Sequence, residues 1–316
     1  MQRLIPSLRR RLGAESGAVA VVVALLMVPM LGFAAIAVDI GSIYAERARL
    51  QVAADAAALA VAQDCARGAC GDIQATASSM VTANEGGATA APPVLSSAPL
   101  SVTVTGNKPT RHWFAPVLGI DSTAVSATAT VAWGTPGAGT AVLPLTFSVC
   151  SFTHQTGGLS TTTASTILFT KTANDGCTGP SGNAVPGGFA YVTTDPGKCQ
   201  ATSAIAHLLN SDTGNTPPGA CSSADFSAWL GQTVLLPLFD QAGGTGSNAW
   251  YRVYGYAAFK LTGFALGGQF KTSPQPCSGS ARCIAGYFVR FVDESDRFTY
   301  TSTGPDLGAD ILRLIR

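Results

Sequence analysis

Charged side chains are scarce in this chain of 316 residues, 12% in all, and they nearly cancel to a formal charge of +1. No basic patch occurs beyond a few arginines at the N-terminus, so no nucleic-acid partner is expected. Catalytic signatures are missing too: there is no Gly-x-Ser-x-Gly elbow, no His-Glu-x-x-His helix and no Walker phosphate loop. No Cys-x-x-Cys is present and the chain has 3 histidines, His112, His154 and His207, so a zinc site lacks its usual donors. No metal and no cofactor are expected. The absence with most consequence is local: from Gly17 through Val22 and Pro29 to Val38 no residue is charged.

At ~1.5 Å per helical residue that stretch is roughly 33 Å long, enough to cross a hydrocarbon core of about 30 Å. A single transmembrane helix over 17–38 is therefore expected, with the lipid bilayer as its first partner. Pro29 is tolerable there, because neighbouring groups or a local kink satisfy the freed carbonyl. Arg3, Arg9, Arg10 and Arg11 precede the run, whereas Asp39, Glu46, Arg47 and Arg49 follow it, so the N-terminus is expected in the cytoplasm. A cleavable signal peptide is the competing reading, because Ala35-Ile36-Ala37 has the small-x-small form of a cleavage site. Its apolar core would exceed the roughly 7–15 residues usual for such peptides, and helix-compatible sequence continues to Ala62 without a turn signal. The paired arginines resemble a twin-arginine export signal only in the pair itself; a topogenic charge cluster explains them.

Beyond the span, Ile36, Ile40, Ile43, Arg47, Leu50, Ala54, Ala57 and Val61 alternate spacings of four and three, a seam that repeats every seven residues. Two readings follow. The stripe either associates with a second copy or a related subunit, or packs on the protein's own body, since alanine is also simply a good helix former. Glu46 and Arg49 lie three apart on another side and form at most a weak pair.

The order Gly17-Ala18-Val19-Ala20, apolar run, Gly32-Phe33-Ala34-Ala35, Val38-Asp39-Ile40-Gly41, Tyr44, then Leu50-Gln51-Val52-Ala53-Ala54-Asp55-Ala56-Ala57-Ala58-Leu59-Ala60 resembles the N-terminal region of TadE/TadG-like proteins. These are bacterial Flp pilus-assembly proteins of the tight-adherence (Tad) system. The resemblance covers about residues 9–63 and implies a membrane-anchored envelope protein that supports adhesive pili, has pilus-assembly proteins as partners, and performs no catalytic step. TadE-type pseudopilins carry Glu five positions after the Gly at which they are cut. Here that position is Val22, so the chain is closer to the uncleaved TadG type. The Asp-x-Ser-x-Ser string of a von Willebrand-type metal domain does not occur.

All 8 cysteines follow the span, on the expected oxidising side. Cys65 with Cys70, and Cys277 with Cys283, bracket short loops and are expected as clips. Cys150, Cys177, Cys199 and Cys221 then make two longer bridges, with connectivity left open. The fold class expected is α+β: a long N-terminal helix with a small β-rich cap, then a mainly antiparallel β domain braced by disulfides.

In detail, 1–16 is a cytoplasmic basic arm, 17–38 the span, 39–133 a helix plus a small pilin-like α/β module, 134–142 a Gly/Thr/Pro linker and 143–316 the β domain. A short helix is expected over 72–85, a loop over 86–99 and strands over 100–105 and 123–133; 113–118 is a helical turn or an extended run. Strands follow over 143–150, 166–172, 188–194, 233–239, 250–259, 284–292 and 298–302, with short helices over 201–210 and 223–230 and a last strand or amphipathic turn over 311–315.

Three further groups carry side chains capable of chemistry or binding. Asp293-Glu294-Ser295-Asp296 is expected as a solvated turn rather than a calcium site. His154 beside Cys150 and Ser151 lacks an orienting acid. Trp250, Tyr251, Tyr254, Tyr256, Phe259 and Phe264 are expected to fill a sheet core rather than form a glycan-binding surface. The function expected is non-catalytic support of pilus assembly and adhesion through helix association and an extracytoplasmic binding domain. The alternatives are a membrane-tethered secreted enzyme or ligand-binding protein on a TadG-like anchor, and a self-associating filament subunit.

Overall fold

A computed structural model describes residues 15–157, 165–168, 177 and 190–315. Most of the basic arm, and residues 169–172 and 188–189 of two expected strands, lie outside the described residues. The chain divides into two compact units, the first made of Met1–Ala58, Gln74–Val94 and Thr103–Ala129, the second of Leu59–Ile73, Leu95–Val102 and Thr130–Arg316.

Helix α1 (Glu15–Ala66) carries Pro29 inside it without ending. It is followed by α2 (Ile73–Asn84), short strands β1 (Thr89–Ala90) and β2 (Val94–Ser97), strand β3 (Leu100–Arg111), a 3-10 turn (Ala115–Leu118) and β4 (Ser122–Ala141). In the first unit β1 and β3 are antiparallel, with Ala90 opposite Gly106, and β3 neighbours β4.

The alanines of α1 have a packing purpose in this unit. Leu50, Ala53, Ala54 and Ala57 are fully buried. Gly106 of β3 lies so close that a Cβ there would stand 3.5 Å from Leu50 Cδ2 and 3.8 Å from Val81 Cγ1 of α2. Small side chains thus bring helix backbone onto the sheet, and burial of Leu50 alone contributes about 2 kcal/mol. The Gln51 side-chain amide adds a bond of 3.1 Å to the carbonyl of Thr128 on β4.

The second unit holds β5 (Phe147–Ser148), α3 (Val149–Thr156), β6 (Ser165–Leu168), β7 (Ala201–Ala204), β8 (Leu208–Asn210), α4 (Ser223–Ser227) and β9 (Thr233–Gly243). It continues with β10 (Trp250–Gly267), β11 (Phe270–Lys271), β12 (Cys283–Phe288), β13 (Phe291–Asp293), β14 (Phe298–Thr301) and β15 (Ala309–Ile315). One sheet runs β5-β9-β10-β12-β6, with β8 and β11 also on β10. Its pairs are antiparallel except β5 with β9. In the other, residues 130–141 of β4 pair antiparallel with β15, β14 and β7, and β13 joins β15 in parallel. Both sheets supply one core, in which Leu236, Tyr256, Phe259 and Phe288 are joined by Phe298 and Ile311. The expected α+β class with a mainly antiparallel β domain is what the chain adopts.

Several local expectations are corrected. Residues 134–141 are not a linker but the second half of β4. The glycines there serve close approach: a side chain on Gly139 would collide with the ring of Phe298 on the facing strand. Residues 201–210 form β7 and β8 instead of a helix, separated by Ala206 at φ 66°. Pairing with β4 and β10 outweighs the helical preference of Ala and Leu. The strand expected over 143–150 is cut to Phe147–Ser148, because the Ser148 hydroxyl accepts the Ser151 N–H at 3.1 Å and starts α3. The loop expected over 86–99 includes β1 and β2. The tail is a strand, β15.

Candidate membrane anchor and juxtamembrane site

The apolar part of α1 is long enough to cross a membrane and none of it is buried inside the protein. Leu25, Val28, Met30 and Phe33 are exposed, as are Ile36 and Ile40 farther along. Such a row of large apolar side chains on a single helix is consistent with a membrane span.

The seam anticipated from the sequence is divided by the structure. Ile36 and Ile40 are open and Ile43 half-buried, whereas Leu50, Ala54 and Ala57 belong to the interior of the protein. The last three are therefore corrected: they pack on the body and are not available to a partner. Ile36 and Ile40 instead belong to an open stripe whose continuation, Tyr44, Ala48 and Val52 at successive four-residue steps, lies outside the seam. Sequence reasoning missed it because Leu50 and the alanines follow the seven-residue seam just as well, and only the position of the sheet tells the two faces apart.

Asp39, the first charged residue after the span, is buried. Its carboxylate accepts the backbone N–H of Trp113 at 2.7 Å, of Phe114 at 3.1 Å and of Ala115 at 2.7 Å. Those donors are the free N–H groups at the start of the 3-10 turn, where a negative charge is favoured. The turn ends at Gly119, whose φ of 82° suits glycine best. The Asp-x-Gly element is thereby given a structural task, pinning the 112–121 loop to the end of the span.

One level farther on, Lys108 of β3 lies 2.8 Å from Glu46 of α1 and also bonds Glu85 just after α2. Hydrogen bonds that the Lys108 ammonium donates to these two carboxylates raise its pKa above the ordinary value, against the opposing effect of burial. Glu46 was expected to pair weakly with Arg49, which stands at 3.9 Å; Lys108 is its nearer partner.

In the second unit the candidates for chemistry dissolve into structure. Cys150 is joined to Cys177, so neither supplies a thiolate beside His154. Cys65 is joined to Cys70, Cys199 to Cys221 and Cys277 to Cys283, and no cysteine is free. Asp293 accepts the N–H and hydroxyl of Ser295 at 2.7 and 2.9 Å, the geometry of a turn. Tyr251, Tyr256, Phe259 and Phe264 are core residues, and Tyr254 is exposed.

Comparison with known proteins bears on the anchor. Residues 17–64 match the family described as putative Flp pilus-assembly TadE/G-like. No curated protein and no solved structure matches the chain.

Proposed function

We propose that this chain is a single-pass envelope protein that supports assembly or presentation of a tight-adherence pilus, with its N-terminus in the cytoplasm and its β-rich portion outside. It acts by binding, with no catalytic step. One observation carries the reading: the segment that matches the TadE/G-like family is the same segment whose apolar side chains stand uncovered along α1. The orientation is supported by the arginines ahead of the span, and the four disulfides suit an oxidising compartment.

Partner contact is assigned to the part of the open stripe beyond the span, Tyr44, Ala48 and Val52. A photo-crosslinker at Tyr44 or Val52, followed by affinity capture from membranes, is expected to recover pilus-assembly subunits. A ladder of self-crosslinked copies identifies a filament subunit instead. Deletion of the gene with surface piliation and adhesion unchanged would sink the proposal.

A further inference from the structure

The loop between β3 and β4 is apolar at its tip and exposed to an unusual degree: Trp113 is 77% exposed, Val117 89% and Leu118 78%, with Phe114 and Ile120 also open. Surface isoleucines and leucines scattered singly need no explanation, but five large apolar side chains within eight residues do. The position of this loop along α1 provides one. Asp39 holds it at the end of the span, and from there it reaches back beside the span itself. A crevice of about 530 Å³ is lined by Gly32, Ala35 and Ile36 on the helix and by Phe114, Val117 and Leu118 on the loop. From Asp39 back to Gly32 is roughly 10 Å of helix, so the crevice begins alongside the last two turns of the transmembrane run, and with Ile40 and Ile43 also lining it, it continues past the end of the span.

We infer that the 112–120 loop enters the lipid leaflet on the β-rich side of the span, with an acyl chain filling the crevice between loop and helix. This rests on the membrane-anchored reading and goes beyond it, because a span alone does not require a second element in the bilayer.

Backbone chemistry supports the placement independently. Irregular backbone is costly in hydrocarbon unless its polar groups are satisfied within the protein. Here the N–H groups of Trp113, Phe114 and Ala115 are taken by Asp39. Those of His112, Val117, Gly119 and Ile120 go to carbonyls of Asp121, Phe114, Pro116 and Ala115. Pro116 has no N–H to satisfy. A segment with seven of its backbone donors consumed in this way loses less on leaving water than an open loop would, and its large apolar side chains gain. Trp113 and, one turn beyond Asp39, Tyr44 are the residue types that favour the headgroup level.

The test uses the full chain in phospholipid vesicles at low protein density. Vesicles are first washed at alkaline pH; a chain that washes off overturns the anchored reading and the loop inference with it. For retained protein, tryptophan emission is compared in ordinary lipid and in lipid brominated in the upper acyl chain, for the natural chain and for Trp113→Phe. The other tryptophans, Trp133, Trp229 and Trp250, are buried or half-buried within the protein, and Trp113→Phe removes an exposed ring without disturbing a core.

The expected result is a bromine-quenched component in the natural chain that is lost in Trp113→Phe and persists on further dilution of protein in lipid. Equal quenching in the two chains overturns the loop inference while leaving the anchor intact. So does a Trp113 component that becomes accessible to aqueous acrylamide on dilution, since a second copy of the chain would then be what covers the loop.

Discussion

Asp310, on β15, is the residue whose environment works against its own charge. Burial, reinforced by Asp306 nearby and only partly offset by Arg290, raises its pKa from 3.8 to about 6. A carboxyl with a raised folded-state pKa holds its proton more tightly folded than unfolded, so its cost grows as pH rises from about 4 to about 6 and is complete above that. Asp310→Asn is expected to stabilise the protein at pH 7.5 by about 1 kcal/mol once solvent screening is discounted, roughly 2–4 °C in Tm. At pH 4 it should leave Tm unchanged. Thermal melts at the two pH values, followed by near-ultraviolet circular dichroism in detergent, check this; an equal gain at both would show that charge is not the cause. Nothing in Ala309-Asp310-Ile311 marks the carboxylate in sequence, because its burial comes from strand pairing with β13 in the folded chain.

At the scale of elements, legibility depended on how far away the deciding contacts lie. The span and α2 were readable because their patterns are local. The short cystine clips at Cys65–Cys70 and Cys277–Cys283 were readable from spacing, and the two remaining bridges join sequential neighbours as well. Residues 134–141 and 201–210 were misread because Gly and Ala there answer to facing strands rather than to local preference. The Asp39 contacts span more than seventy residues of sequence, which no local pattern announces.

The same holds for the ion cluster that ties α1 and the end of α2 to β3. The Glu46 and Glu85 side chains are 9% and 12% exposed, so removing Lys108 leaves two nearly buried carboxylates facing each other. Lys108→Met is expected to cost about 3 kcal/mol, read as a lower urea midpoint and faster amide exchange in α2. Adding Glu46→Gln and Glu85→Gln to the same chain should restore most of the loss. If the triple variant is no better than Lys108→Met, the damage lies in packing of the lysine stem rather than in uncompensated charge.

For the whole molecule, the proposed topology rests on charge distribution and cysteine placement together. Arg3, Arg9, Arg10 and Arg11 precede the span, and the residues that follow it carry all 8 cysteines, joined in pairs. Thiols kept reduced in the cytosol would leave those pairs open, and a loop closed by a bridge such as Cys150–Cys177 would then forgo about 3 kcal/mol of chain-entropy stabilisation. Maleimide-polymer labelling of cells quenched in acid is therefore expected to leave the chain unshifted on a denaturing gel, with labelling of all its cysteines only after reduction. Protease added outside spheroplasts should cut the β-rich portion and spare an epitope placed ahead of Gly17. Digestion of the epitope with protection of the β-rich portion would invert the topology, and immediate labelling without reductant would place the cysteines in the cytosol; either outcome removes the basis for an external binding domain.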